Sequence, residues 1–139
     1  MEKVTCLIKD FGNPGNGRVY TKEAMEMAVK EYLSREDKTR RLGEMDPRPD
    51  EDPWVHLSNV SHMIEDVRFE GDKLYGDIEL LDTPNGKMAQ ELLKNGLPIH
   101  LAPRMTAQPI YEIDEEGNET NKIIGYKDLS IISMDIMAP

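Results

Sequence analysis

Between residues 73 and 81 the chain alternates strictly. Leu74, Gly76, Ile78 and Leu80 fall on one side of an extended backbone, and Tyr75, Asp77 and Glu79 on the other. A period of two with one apolar side is what a half-buried strand requires. Residues 55–69 read as its partner, joined to it through the polar link Glu70-Gly71-Asp72. The β-branched run at 4–8, the short stretches 42–45 and 99–105, and the apolar run 129–137 read as further strands. Residues 110–113 and 122–126 flank a polar segment, 114–121, that holds Gly117, and so predict a second hairpin.

Two segments switch to the helical period. Ala24, Met25, Ala28, Val29, Tyr32 and Leu33 recur at helical spacing, behind Thr21 as a capping hydroxyl and Glu23 at the positive end. This helix fades in the charged stretch 35–41. Met88, Ala89, Leu92 and Leu93 form a second stripe, opened by Thr83 as cap and Pro84 at the first helical position and closed by Gly96. Residues 11–17, rich in Gly, Asn and Pro, predict a loop, as do residues 46–53, where Pro47, Pro49 and Pro53 offer no N–H to a ladder. Many strands, two helices and no internal repeat predict an α+β protein. Its expected form is an antiparallel, barrel-like sheet with about two flanking helices, in a single domain over residues 1–139.

Charge narrows the function. A net charge of -10, with 32% charged residues, argues against nucleic acid as a partner, because phosphates attract Lys and Arg stripes and repel an anion. The plain account of the acids is a solvated surface; an acidic face docked on a basic partner is the sharper one. Cys6 is the single cysteine, so no internal disulfide can form, and its apolar neighbours mark it as a small core residue. No apolar run approaches the roughly 20 residues of a membrane span, and Met1-Glu2-Lys3 leads straight into strand-like sequence, so neither membrane insertion nor a leader is expected.

Several short motifs follow one another in order: Asn16-Gly17-Arg18-Val19-Tyr20, Leu42-Gly43-Glu44-Met45-Asp46-Pro47, Asn59-Val60-Ser61-His62, Leu74 through Lys87 with its Asp82-Thr83-Pro84-Asn85-Gly86 core, Ile99-His100-Leu101-Ala102-Pro103-Arg104, and the closing Asp135-Ile136-Met137-Ala138-Pro139. In these the chain resembles the prohead maturation proteases of tailed bacteriophages, serine proteases that trim the inner scaffold and capsid protein during head assembly. The resemblance implies a β-barrel with flanking helices, like the herpesvirus assembly proteases. It also implies that Pro47 stands where the family has its catalytic His, and Ala102 where it has its nucleophilic Ser. Arg48 and Met105 depart from the pattern beside them. His62 and Arg104 match family positions that are kept.

A serine protease needs a hydroxyl, a base within hydrogen-bond reach, and oxyanion donors. A methyl group cannot attack a carbonyl, and proline cannot take up a proton. No catalytic residue is therefore expected. His62 is the candidate for an orienting third member; its plainer account is a half-buried strand His with a local partner. His56 lies just before that strand, and His100 shares a face with Ala102. Ser58, Ser61, Ser130 and Ser133 are candidate hydroxyls only by elimination. Arg104, which the resemblance ties to the oxyanion region, is expected to pair with an acid, and Glu44 and Asp46 read as loop chemistry beside Pro47. The acids Asp46, Asp50, Glu51 and Asp52 lack the spacing of a calcium loop, and His56 and His62 that of a zinc helix, so no metal and no cofactor is expected.

These observations predict a structural or auxiliary head-assembly protein that has lost catalysis and binds a phage capsid or scaffold protein as a homo- or hetero-oligomer. It would be found in the virion, or in the host cytoplasm during assembly. The alternatives are a divergent active protease using relocated groups, such as His56 or His62 with a nearby Ser, and a regulatory pseudoenzyme paired with an active paralogue.

Overall fold

The computed structural model describes residues 2–12, 20–35, 41–46 and 55–137. Along the chain run β1 (Glu2–Asp10), α1 (Lys22–Leu33), β2 (Leu42–Glu44), a 3-10 turn (Leu57–Asn59), β3 (Val60–Glu70), β4 (Lys73–Leu80), α2 (Pro84–Lys94), β5 (His100–Ile113) and β6 (Glu119–Met137). The expected α+β architecture is present, with both helices where the helical spacing placed them.

Four strands form one antiparallel sheet in the order β1-β4-β3-β2, and β5 and β6 form a second. The alternation in β4 has its expected result: Leu74, Gly76, Ile78 and Leu80 are buried and the intervening residues are not. Val4, Cys6, Ile64 and Val67 lie opposite these residues and share their face. Each large aliphatic side chain buried there contributes on the order of 2 kcal/mol. The sheets join at both ends. Met45 bridges Ile136 in parallel, with the Asp46 amide donating to the Ile136 carbonyl at 2.7 Å. At the other end β1 packs along β5, and Leu101 reaches close to Gly76 beside Ile8. The result is a barrel-like body around one core.

α1 is capped as expected, the Thr21 hydroxyl accepting from the Ala24 amide at 3.1 Å. Met25, Ala28, Val29 and Tyr32 bury its apolar side. Beyond it, Arg41 donates to the Leu33 carbonyl at 2.7 Å, compensating the negative helix end.

Four expectations need correction. Residues 57–59 turn as a 3-10 helix, so β3 begins at Val60 rather than at Val55; His56 precedes the turn in an extended conformation. β5 and β6 each run unbroken where the sequence suggested two pieces, because bulges absorb the polar interruptions. The hairpin loop is shorter than expected, with strand resuming at Glu119. Met88 is 55% exposed and does not belong to the buried stripe of α2, which rests on Gly86 and Ala89.

Candidate active-site face and its buried polar network

Residues directly opposite one another in an antiparallel pair share a face. In β5 and β6, Leu101 lies opposite Ile136 and Pro103 opposite Met134, on the core side. Ala102 lies opposite Asp135 and Arg104 opposite Ser133, so these four share the reverse face. The position where the resemblance expects the nucleophile is thus set against a buried acid.

Arg104 organises this face. Its guanidinium bonds the Glu44 carboxylate from β2, and its Nε lies 3.1 Å from an Asp135 carboxylate oxygen and 3.1 Å from the Ser133 hydroxyl. The Ser133 hydroxyl donates to Asp135 at 2.9 Å, and the Glu44 amide donates to Asp135 at 3.0 Å. Asn59 donates to the other oxygen of Glu44 at 3.2 Å. Glu44 and Asp135 are almost wholly buried. Burial pushes the Asp135 carboxyl above its ordinary range; the Glu44 amide, the Arg104 charge and the Ser133 hydroxyl pull the other way. Arg104 therefore pairs with acids, as expected, but Glu44 does so from a buried strand, which corrects its assignment to loop chemistry. Asp135 and Ser133 complete the network unanticipated as partners. The available signal was one acid and two serines, Ser130 and Ser133, inside the mostly apolar run 129–137.

His62 is fully buried, not half-buried. Its Nε2 lies 2.6 Å from the Met134 carbonyl and its Nδ1 2.7 Å from the Ser61 hydroxyl. A carbonyl only accepts, so Nε2 carries the proton and Nδ1 accepts from Ser61. Burial lowers its pKa to about 4, against a smaller upward pull from the Met134 carbonyl, so the ring is neutral near pH 7. To reach Met134 the ring crosses β2 at Gly43, its cross-strand neighbour. A Cβ on Gly43 would stand 2.1 Å from Nε2 and 2.5 Å from the Met134 carbonyl oxygen. The glycine is thus needed for a close approach.

Of the candidate hydroxyls and histidines, Ser61 and His62 are brought together, wholly buried, and the others are dispersed. His56, Ser58 and His100 are exposed and Ser130 is partly exposed. Ser61 is taken up by His62 and Ser133 by Asp135. Pro47 and the acids Asp50, Glu51 and Asp52 lie outside the described residues; Asp46 is exposed at φ 49. Among the described residues no group of His, Cys, Asp or Glu is placed to hold a metal, and no helix is long and apolar enough to cross a membrane. Cys6 is buried, and desolvation with the nearby Asp77 charge raises its thiol to about 11, far from reactive.

The motifs around Asn59 and Thr83 hold the body together. Asn85 bonds the Asn59 side chain and donates to its carbonyl at 3.2 Å. The Thr83 hydroxyl donates to the Val60 carbonyl at 2.6 Å and accepts from the Gly86 amide at 3.0 Å. A Cβ on Gly86 would meet the Leu81 carbonyl oxygen at 1.9 Å. These contacts seat the start of α2 on the start of β3. At its other end the helix turns through Gly96 at φ 77, with the Leu97 amide donating to the Leu92 carbonyl at 2.9 Å. Leu92 and Leu97 then line an apolar pocket of about 350 Å³ with Met45, Ile99 and Ile136.

The fold is similar to that of the bacteriophage T4 capsid assembly protease, with a TM-score of 0.71 at 18% identity, covering 99% of this chain and 82% of that one. The chain belongs to the prohead core protein serine protease family, whose model matches residues 9–134. No curated protein matches it.

Proposed function

We propose that this chain is a head-assembly protein that keeps the prohead-protease architecture and does not cleave. One observation carries this reading. Ala102, which the resemblance sets at the family's nucleophile position, lies on the face shared with Arg104, Ser133 and Asp135 and supplies no hydroxyl. The neighbourhood supports it. Ser133 is bound to Asp135, and the one hydroxyl–imidazole pair, Ser61 with His62, is wholly buried, as Ser133 is, so no substrate carbonyl reaches these hydroxyls. Pro47, which the resemblance sets at the family's base position, cannot take up a proton. The partners of such a protein are phage capsid or scaffold proteins, met in the host cytoplasm during assembly, and its lasting place is the virion.

Intact-mass analysis of purified virions and of proheads from one infection tests this. The whole chain in mature particles at fixed stoichiometry is the expected result. Its absence from virions, with capsid protein shortened as it disappears from proheads, would overturn it. Membership of a protease family favours a second reading, a divergent active protease with relocated groups. Co-expression with the capsid protein separates the two: specific truncation supports the protease, and uncut capsid protein beside a folded chain rejects it.

A further inference from the structure

The hairpin of β5 and β6 outruns the barrel. Its base packs on the body, where Leu101, Ile131, Met134 and Ile136 are core. Beyond the base the ladder shifts register at Thr106/Gln108, where Asp128 adopts φ 53, and again at Ile110/Tyr111 and Tyr111/Ile113. Beyond the base, where Asp46 bonds Ile136, no third strand among the described residues hydrogen-bonds to this ribbon. A two-stranded ribbon alone is marginal in water. This one is held at its tip by the Asp114 carboxylate, which accepts the Glu116 and Asn118 amides at 3.0 and 2.9 Å, and by the Thr120 hydroxyl, which donates to the Glu112 carbonyl at 2.9 Å.

The arm displays Ile110, Ile113, Ile123 and Ile124 at 38%, 64%, 45% and 49% exposure. Ile123 lies opposite Tyr111, on the face that Ile113 continues, and Ile110 lies on the reverse face. Isolated exposed isoleucines are ordinary, but a group of them on an unpaired ribbon marks an interaction surface. The charge at the tip is predominantly acidic: Glu112, Asp114, Glu115, Glu116 and Glu119 stand within eight residues, against Lys122 and Lys127 on β6. Lys122 approaches Glu112 alone, at 3.8 Å.

We propose that this arm docks a positively charged, extended segment of a partner protein. The segment adds along an edge of the ribbon, sets aliphatic side chains on the isoleucines and places Lys or Arg against the acids. Charge disfavours a second copy as the occupant, because pairing two arms brings two acidic tips together on chains that each carry -10. The surface is distinct from the Ala102 face, and the inference holds whether or not the chain cleaves its partners.

The test is an amide NMR titration of the full chain with a short synthetic peptide of alternating lysine and valine. Saturable shifts confined to residues 106–128 are expected. Affinity falls about tenfold or more in Glu115→Lys/Glu116→Lys and in Ile113→Ser/Ile123→Ser, and for a lysine–serine peptide. All substituted residues are exposed, and circular dichroism verifies that both variants stay folded. Equal binding of the lysine–serine peptide, or shifts spread over the body, would reduce the effect to attraction between polyions and overturn the proposal. Arm-dependent self-association in sedimentation, without peptide, would overturn it in favour of a second copy.

Discussion

A single imidazole spans three strands of the barrel. His62 leaves β3, crosses β2 over Gly43 and donates to Met134 on β6. Its proton-binding behaviour follows from that position. At pH 7 the ring is neutral in both the folded and the unfolded chain. As pH falls through 6.5 the unfolded chain takes up a proton that the folded chain refuses until about pH 4. Stability is therefore lost across that window, by about 3 kcal/mol for this group. Asp135 acts in the opposite sense: its folded carboxyl is raised above 3.8, so the native state holds that proton more firmly and gains as pH falls. Comparing the parent with His62→Gln cancels the Asp135 contribution. Urea midpoints between pH 7 and 4 will fall more steeply for the parent than for the variant; identical slopes would contradict the assignment. Gly43→Ala is expected to cost about 2–3 kcal/mol, because its methyl meets both the ring and a backbone oxygen. Much of that loss should be specific to the crossing, so His62→Ala costs less in the Gly43→Ala background than alone, as a double-mutant cycle will measure.

At the scale of elements, what sequence revealed and what it concealed divide along physical lines. The period of β4 and the caps of both helices are local, and they were legible: Thr21, Thr83 and Pro84 stand where they were expected. The continuity of β5 and β6 was not, because a bulge lets a strand pass through residues of poor strand propensity, and Pro109 and Asp128 masked it. Ser58 and Asn59 are turn formers, but the β-branched Val55 and Val60 on either side of them masked that signal, so the start of β3 was misplaced. The site was legible only as an alignment of motifs. Glu44, Ser133 and Asp135 meet Arg104 through strand register across long sequence separation, and periodicity within a segment holds no information about that. Thr83 caps α2 and Asn59 ties the helix start to Glu44 and Met45, so both motifs have a structural role that does not depend on catalysis. Thr83→Ala removes a helix cap and a bond to the Val60 carbonyl together. A loss of about 1–2 kcal/mol is expected, at the upper end of cap removals. Thr83→Ser, which keeps both bonds, should recover most of it in the same thermal-unfolding measurement.

For the whole molecule, the Arg104 network is a seam between the two sheets, since Glu44 comes from one and Asp135 and Ser133 from the other. Two carboxylates and one guanidinium are a costly thing to bury, and an apolar seam of equal volume would hold as well or better. The network is stable because each acid is also met by neutral donors: Asn59 for Glu44, the Ser133 hydroxyl and Glu44 amide for Asp135. Removing the arginine alone strands both acids. Arg104→Met should cost about 3–5 kcal/mol, well beyond the loss of one exposed ion pair. Removing an acid as well relieves part of that penalty, so Arg104→Met/Glu44→Leu should be more stable than Arg104→Met. Denaturant unfolding of the parent, both single variants and the double decides this. A double variant no more stable than Arg104→Met would mean that the arginine acts by packing its stem rather than by neutralising Glu44. The recovery expected here would identify the surviving charges as the seam that closes the barrel, a role that requires no nucleophile at residue 102.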